Sequence, residues 1–567
     1  MSTATANQQP IAQHSTGQST MIQSTEQAWM PMLAERLLAL HPETPAEMKR
    51  VLQALLHRLG DALQQGHTCL TQTHRQWPKH PLIVLAADAL KTPAPLVADG
   101  PYLYLYRQWQ QERQIAHQLA LLIRQSLAAV QIVLDPLDSA NHLQQEAIAL
   151  AARQAFSLIT GGPGTGKTFT LVRIVQALQA AQPDLRIALA APTGKAAQRM
   201  QEVLHHAFDQ AGIAQDRIQT AQTVHRLLGL GNGQRPRYHR EQPLPFDLIV
   251  IDEGSMLDLA LASLLIDAIA VGTRLIILGD SDQLAAVDAG AVLADLAHAD
   301  DLADYRINLL ESKRFGPDSG IGQLAEVIRQ GKSAVLAAVL QGNDQVSLHR
   351  PTLQQPEHMY DALWAGYADY VEALRSQASP IDLLAVFDRY RVLCAQRHRR
   401  MGTVLVNKAL GERLQRDLGE RQGQGLALAL SDWYQGRPVL MTRNDYSLQL
   451  SNGDVGLCLA DETGCWQVHF AHLSAPIAVA RLPPEQLETA FALTIHKSQG
   501  SEFNEVALLL DPDAGPLLSR ELVYTAVTRA KARVQIWSGL DLLQKTIARR
   551  ALRHSGLADQ LHDALAN

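Results

Sequence analysis

Gly161-Gly162-Pro163-Gly164-Thr165-Gly166-Lys167-Thr168 decides how this chain is read. The string fits G-x-x-x-x-G-K-[ST] in full, and its flanks agree with it. An apolar, strand-like run, Phe156-Ser157-Leu158-Ile159-Thr160, leads in, and a helix-like run, Phe169-Thr170-Leu171-Val172-Arg173-Ile174-Val175, leads out. Strand, glycine-rich loop and helix together make a phosphate cradle. The glycines let backbone N–H groups turn inward, at the positive end of the following helix. Lys167 is expected to pair with phosphate oxygens, and the Thr168 hydroxyl to ligate Mg²⁺. Gly161 through Thr168 are therefore the candidate ATP-binding residues, and hydrolysis of the nucleotide is expected.

Outward from the loop, short apolar runs alternate with helical segments: Phe156–Thr160, Ile187–Ala191, Leu248–Ile251 and Leu275–Leu278. Near-continuous apolar strands predict a parallel sheet covered on both faces. A second α/β set is expected over Arg306–Leu310, Val392–Ala395, Phe491–Ile495, Val506–Leu510 and Val534–Trp537. Over roughly 425–480 the pattern becomes short alternating strands, with turns at Asn452-Gly453-Asp454 and Glu462-Thr463-Gly464, which predicts a small β insert. Residues 27–130 read as mostly helical, broken at Trp77-Pro78 and Lys91-Thr92-Pro93-Ala94-Pro95. The division expected is a tail over 1–25, a helical domain over 26–135, a first motor domain over 136–300, and a second over 301–567.

Composition narrows the function classes. The 567 residues suit roughly three or four domains. A net charge of −6 excludes a generally basic coat, so any nucleic-acid site is a local groove. Four cysteines, Cys69, Cys394, Cys458 and Cys465, are too scattered for a disulfide framework, and the last two read as core thiols. No run of ~18 apolar residues is present, so no membrane span is expected. Met1–Thr25 is Ser/Thr/Gln-rich and reads as a disordered tail rather than a signal peptide. A reducing cytoplasm is the expected compartment.

Further strings supply chemistry. Phe246-Asp247-Leu248-Ile249-Val250-Ile251-Asp252-Glu253 is a buried strand ending in two carboxylates. Asp252 is placed to hold Mg²⁺, and Glu253 to position and deprotonate the attacking water. Gln283, in Leu278-Gly279-Asp280-Ser281-Asp282-Gln283, is a candidate γ-phosphate sensor. Arg314 and Arg529 are candidate arginine fingers, since phosphoryl transfer spreads charge over equatorial oxygens and a finger supplies ~10³–10⁵ in rate. Thr193, opening a helix after a strand, is a candidate contact for a nucleic-acid phosphate, as are Thr223 and His225. Thr494-Ile495-His496-Lys497-Ser498-Gln499-Gly500-Ser501-Glu502-Phe503 adds Thr494, His496 and Ser498 as DNA contacts, and Gly500 beside the nucleotide.

Taken in order, these strings resemble superfamily 1 DNA helicases, and in detail their RecD branch, over about 140–540. Gly-Gly-Pro-Gly-Thr-Gly-Lys-Thr, His-Lys-Ser-Gln-Gly-Ser-Glu-Phe and Tyr-Thr-Ala-Val-Thr-Arg-Ala-Lys are close to family wording. The β insert is matched by Trp433–Leu440, Asn444-Asp445-Tyr446 and Asn452–Gly456. Asp252-Glu253-Gly254-Ser255 departs mildly from the usual Asp-Glu-Ala-Ser and keeps both carboxylates. The resemblance implies two RecA-like parallel-sheet domains, a small β-barrel insert in the second, and a helical N-terminal domain. It implies 5′→3′ movement on single-stranded DNA driven by ATP with Mg²⁺, and places Gln144 where the family reads adenine. It also implies a heterotrimer with RecB-like and RecC-like subunits that unwinds and degrades DNA from duplex ends, with the nuclease site on the RecB-like partner.

Two readings stay open beside that one: a stand-alone 5′→3′ helicase, and an ATP-dependent clamp. No helix-hairpin-helix front end of the stand-alone branch is present. Tyr102-Leu103-Tyr104-Leu105-Tyr106-Arg107-Gln108-Trp109 reads either as an interface hot spot for the RecC-like partner or as a core stripe. Arg397-His398-Arg399-Arg400 reads equally as a DNA-channel lining or a solvated loop. Phe315, Trp433, Tyr434 and Tyr446 are candidates for stacking on bases.

Overall fold

The computed structural model describes residues 29–566 except 73–75, 126, 128–129, 131–140, 232–234, 317, 353–354, 420–432 and 446. The expected tail, Met1–Thr25, and Tyr446 lie outside the described residues. The chain divides into two units: Met1–Gln110 with Arg553–Gly556, and Gln111–Leu552 with Leu557–Asn567.

In the first unit, helices Trp29–Ala39 and Ala46–Gln64 precede a small sheet. The second helix starts after Pro45, has Glu47 in its first turn, and buries Leu52, Leu55, Leu56 and Leu59 at helical spacing. The sheet holds β1 (Leu70–Thr71), β2 (Ile83–Leu85), β3 (Leu96–Asp99) and β4 (Tyr102–Leu105), ordered β1-β4-β3-β2. Sequence periodicity gave no sign of it, because strands this short carry too few alternations. The helix Tyr106–Ile123 follows. Its distal half, with Ile115, Leu119 and Leu122 buried, joins a core of the second unit, so the N-terminal domain ends before the expected 135.

The second unit holds the two α/β sheets. β5 (Phe156–Gly161), β6 (Ile187–Ala191), β7 (Gln222–Thr223), β8 (Leu248–Ile251), β9 (Arg274–Gly279) and β10 (Arg306–Leu309) form a parallel sheet ordered β10-β5-β9-β8-β6-β7. Alternate residues feed opposite cores: Ile249 and Ile251 on one face, Leu248 and Val250 on the other. Two assignments made from sequence are corrected here. Arg306–Leu309 was expected in the second set, but it pairs with Leu158–Gly161 at the edge of the first sheet. The terminal helix Leu557–Ala566 buries Leu557, Leu561 and Ala564 in the first sheet's core, not in the second domain. Apolar strands and helices do not record which sheet they join.

β11 (Val346–His349), β12 (Tyr390–Cys394), β18 (Ala492–Thr494), β19 (Phe503–Leu509) and β20 (Ala530–Trp537) make the second parallel sheet, ordered β11-β20-β19-β12-β18. Between β12 and β18 lies the insert: β13 (Arg437–Met441), β14 (Val455–Ala460), β15 (Trp466–Phe470), β16 (Ile477–Ala478) and β17 (Leu487–Thr489). It is a five-stranded antiparallel sheet, and it runs past the expected 480 because Leu487–Thr489 pairs with Val439–Met441. Among the described residues, no helix is long and apolar enough to cross a membrane. Cys69, Cys394 and Cys458 are buried, whereas Cys465 is exposed rather than in a core.

Candidate active site

β5 delivers the chain into the phosphate loop, and the helix Lys167–Ala181 carries it out. Gly164 and Gly166 have φ of +77° and +85°, and a Cβ would collide with Arg314 at the first and with the Gln144 amide at the second. Only glycine meets both demands. Within the loop, Thr165 Oγ1 donates to Gly162 O at 2.8 Å. Lys167 Nζ donates to Gly161 O at 2.6 Å and Gly162 O at 3.0 Å, so the ammonium folds over its own loop.

A cavity of about 350 Å³ beside this loop gathers the residues singled out by chemistry. Lys167 and Thr168 come from the loop, Asp252 and Glu253 from the end of β8, and Gln283 from the turn after β9. Arg314 comes from the segment that leaves β10, and Gly500 and Arg529 from the segments flanking the second sheet. Glu253 takes left-handed backbone, φ 53°, strained for a residue with a side chain, and its N–H donates to Asp252 Oδ1 at 2.8 Å. Burial, then the adjacent Glu253, push the Asp252 carboxyl up to about 6 against the pull of Lys167. Burial likewise raises Asp280, with Lys167 opposing. A carboxylate held in so desolvated a place favours a cationic partner.

The turn after β9 is tied across the cleft. Arg529 Nη2 donates to Gln283 Oε1 at 2.6 Å, and Gln283 Nε2 to Asp280 Oδ2 at 2.9 Å. Gln499 Nε2 donates to Leu284 O, and Leu284 N to Thr525 Oγ1, both at 2.8 Å. The γ-phosphate sensor expected at Gln283 is thus bonded directly to one of the two expected fingers.

Gly161, Gly162 and Thr165 line a separate cavity of about 850 Å³ with Tyr524, while Pro163 and Asp280 border both. Gln144 borders neither. It is fully buried: Nε2 donates to Thr165 O at 3.2 Å, and Oε1 accepts from Asn141 N at 3.1 Å in a helix capping box. In this arrangement Gln144 buttresses the phosphate loop with both its polar ends engaged.

The DNA candidates fall at the C-terminal ends of the strands. Thr193 caps the helix Gly194–Gln210 through Ala196 N, and Thr223 caps Val224–Leu227 through Arg226 N. Pairing of Ala191 with Thr223 brings the two together, with His225 exposed beside them. In the second sheet Thr494 and His496 are partly exposed after β18. Ser498 is fully buried, with Oγ donating to Ile495 O at 2.7 Å. Phe315 lines the larger cavity, Trp433 lies under Arg437, and Tyr434 packs on a core. Arg397–Arg400 is exposed, with Arg397 paired to Glu488 at 2.8 Å.

The sequence reading missed Glu502 and Arg199, which line the same cavity. Glu502 accepts from Arg199 at 2.6 Å and from Arg314 at 2.5 Å, with Lys531 at 3.6 Å. Burial pushes its carboxyl up, but Arg199 and Arg314 outweigh that and hold it at about 2. The one signal was an acid inside a string otherwise read for phosphate contacts. Among the described residues no cluster of three or more His, Cys, Asp or Glu could hold a metal. Thr168 with Asp252 still fits Mg²⁺, which takes few protein ligands and completes its shell with phosphate oxygens and water.

Residues 144–289 match the family model described as an AAA domain, and residues 489–536 that of a UvrD-like helicase C-terminal domain. The chain is 39% identical over 560 residues to the RecBCD enzyme subunit RecD of Mycobacterium tuberculosis, covering 93% of this chain and 94% of that protein. Identity to the RecBCD enzyme subunit RecD of Haemophilus influenzae is 34% over 547 residues, covering 84% and 82%. The ATP-dependent RecD2 DNA helicase of Deinococcus radiodurans is 32% identical over 405 residues, 71% of this chain but 50% of that protein.

Proposed function

The chain belongs to the RecD family, and from that premise we propose that it is the ATP-driven DNA helicase subunit of a RecBCD-type assembly, working with RecB-like and RecC-like partners. The observation that carries the reading is the convergence of Lys167, Asp252, Glu253, Gln283, Arg314 and Arg529 on one cavity. These residues suit phosphoryl transfer, in which catalysis is mostly positioning and charge stabilisation. The near full-length match to RecD subunits, against half of the RecD2 helicase, favours a subunit over a stand-alone motor.

In this reading Lys167 and the backbone N–H groups of Gly164 and Gly166 bind the phosphates. Thr168 and Asp252 would hold Mg²⁺, which supplies charge neutralisation at the β- and γ-oxygens. Glu253 accepts the proton of the attacking water. Arg314 and Arg529 stabilise the charge that develops on the γ-phosphoryl oxygens, and Gln283, bonded to Arg529, senses their presence. Thr193, Thr223, His225, Thr494 and His496 contact single-stranded DNA along the strand ends, with 5′→3′ movement. Opening and closing of the cleft between the two parallel sheets converts hydrolysis into steps. Cleavage of DNA belongs to the RecB-like partner, and the assembly acts in the cytoplasm on duplex ends during recombinational repair.

The Glu253→Gln variant tests the chemistry. It is expected to keep nucleotide binding and lose hydrolysis by about 10²–10⁴, the usual contribution of a general base. Hydrolysis at the wild-type rate would remove Glu253 from its role.

A further inference from the structure

Among the described residues, Glu502 is the one carboxylate of the nucleotide cavity whose two oxygens are both taken by guanidinium groups: Oε2 by Arg199 and Oε1 by Arg314. Its side chain is 12% exposed. The two arginines come from different places. Arg199 lies on the helix Gly194–Gln210, whose N-cap is the DNA candidate Thr193. Arg314 lies in the segment that leaves β10 and crosses the phosphate loop, where Lys313 N donates to Gly164 O at 2.8 Å. While Arg314 Nη2 is held by Glu502, its Nη1 is buried with no hydrogen-bond partner, inside the same cavity. A buried, unpaired guanidinium N–H is costly unless an acceptor reaches it, and a phosphoryl oxygen is the acceptor this cavity is built for.

We propose that Glu502 is a positioning residue that competes with the γ-phosphate for Arg314 and, through Arg199, ties that competition to DNA. This rests on the ATPase reading given above. One carboxylate is divided between two guanidinium groups, with Lys531 3.6 Å from the oxygen that Arg199 holds. A stronger hold on Arg199 weakens the hold on Arg314, and loss of Arg199 tightens it. DNA bound at the Thr193 end acts on the helix that carries Arg199, so DNA shifts Arg314 from the carboxylate to the phosphate. Arg529 makes no hydrogen bond to Glu502 among the described residues: its Nη2 is bonded to Gln283 and its Nη1 to Ser501 O.

The test is the ATPase of the full assembly, with any ATPase of the partner subunits disabled at its own phosphate-loop lysine, with and without single-stranded DNA. Glu502→Gln keeps the size and removes the charge. It is expected to raise the DNA-free kcat at least about five-fold, the lower end of ordinary coupling between sites, and to lower the DNA-stimulation ratio by the same factor. Arg199→Gln is expected to do the opposite and lower the DNA-free kcat. Opposite signs separate this role from a structural one, which lowers both. A fall in kcat for Glu502→Gln with and without DNA, or a shift of both variants in one direction, overturns the proposal. If Glu502→Gln does not fold, Arg199→Gln decides through both readouts: a fall in the DNA-free kcat with the DNA-stimulated kcat kept supports the competition, and a fall in both, a rise or no change overturns it. A wild-type assembly without DNA-stimulated hydrolysis would instead sink the helicase reading itself.

Discussion

At the scale of single residues, charge in the nucleotide cavity is arranged in pairs with opposite consequences. Asp252 is raised by burial and by Glu253, whereas Glu502 is held down by Arg199 and Arg314. For Glu502 the sign is that of a depressed carboxyl. Its contribution to stability is fully present above the ordinary value of 4.5 and is lost as pH falls toward about 2. Glu502→Gln should therefore cost stability on the order of 1–3 kcal/mol at neutral pH, discounted for partial solvent access. The gap to wild type should shrink in acid. Urea unfolding at neutral pH, and again below the ordinary carboxylate range, measures it. A gap that stays constant would mean the ion pairs do not form in solution.

At the scale of elements, the sequence was legible wherever chemistry fixes residue types at fixed spacing. Pro163, Gly164, Gly166, Lys167 and Thr168 of the phosphate loop line one cavity with the β8 carboxylates, Gln283, Arg314, Gly500 and Arg529. What stayed hidden depends on contacts across long stretches of chain. Glu502 meets Arg199 and Arg314, far away in sequence, and nothing local announces either pair. Ser498 sits in a turn that folds its hydroxyl back onto Ile495, and Gln144 is absorbed by its own helix cap. The aromatic run in β4 and the following helix was open to two readings. Tyr104 and Trp109 are 0% and 1% exposed and pack with Cys69, Ala89 and Val97, so the core reading holds for both. Tyr104→Ala should thus destabilise the N-terminal unit by roughly 3–5 kcal/mol, as truncation of a buried aromatic does. Limited proteolysis within Trp29–Gln110 is the readout. An N-terminal unit as resistant as wild type, with only partner binding reduced, would restore the interface reading for Tyr104.

At the scale of the whole molecule, the parallel sheets of the second unit contribute different halves of one machine. The first supplies the loop, the carboxylates and Gln283, and the second is flanked by Arg529 and Gly500. Neither half completes the cavity alone, which is why hydrolysis can be coupled to movement. The chain also returns on itself, since its final helix packs into the core of the first sheet. Truncation after β20 would therefore damage the phosphate-loop domain, a dependence that the linear order of motifs does not suggest.

The central claim is that this chain is itself a DNA motor. The most direct measurement is unwinding of a 5′-tailed duplex by the complete assembly, with the partner motor disabled and this chain either wild type or Lys167→Gln. The account predicts ATP-dependent strand separation with wild type and none with Lys167→Gln, both assemblies remaining intact and DNA-bound. Equal unwinding by the two would contradict it, and would leave the cavity around Lys167 as a site that gates assembly rather than one that drives movement.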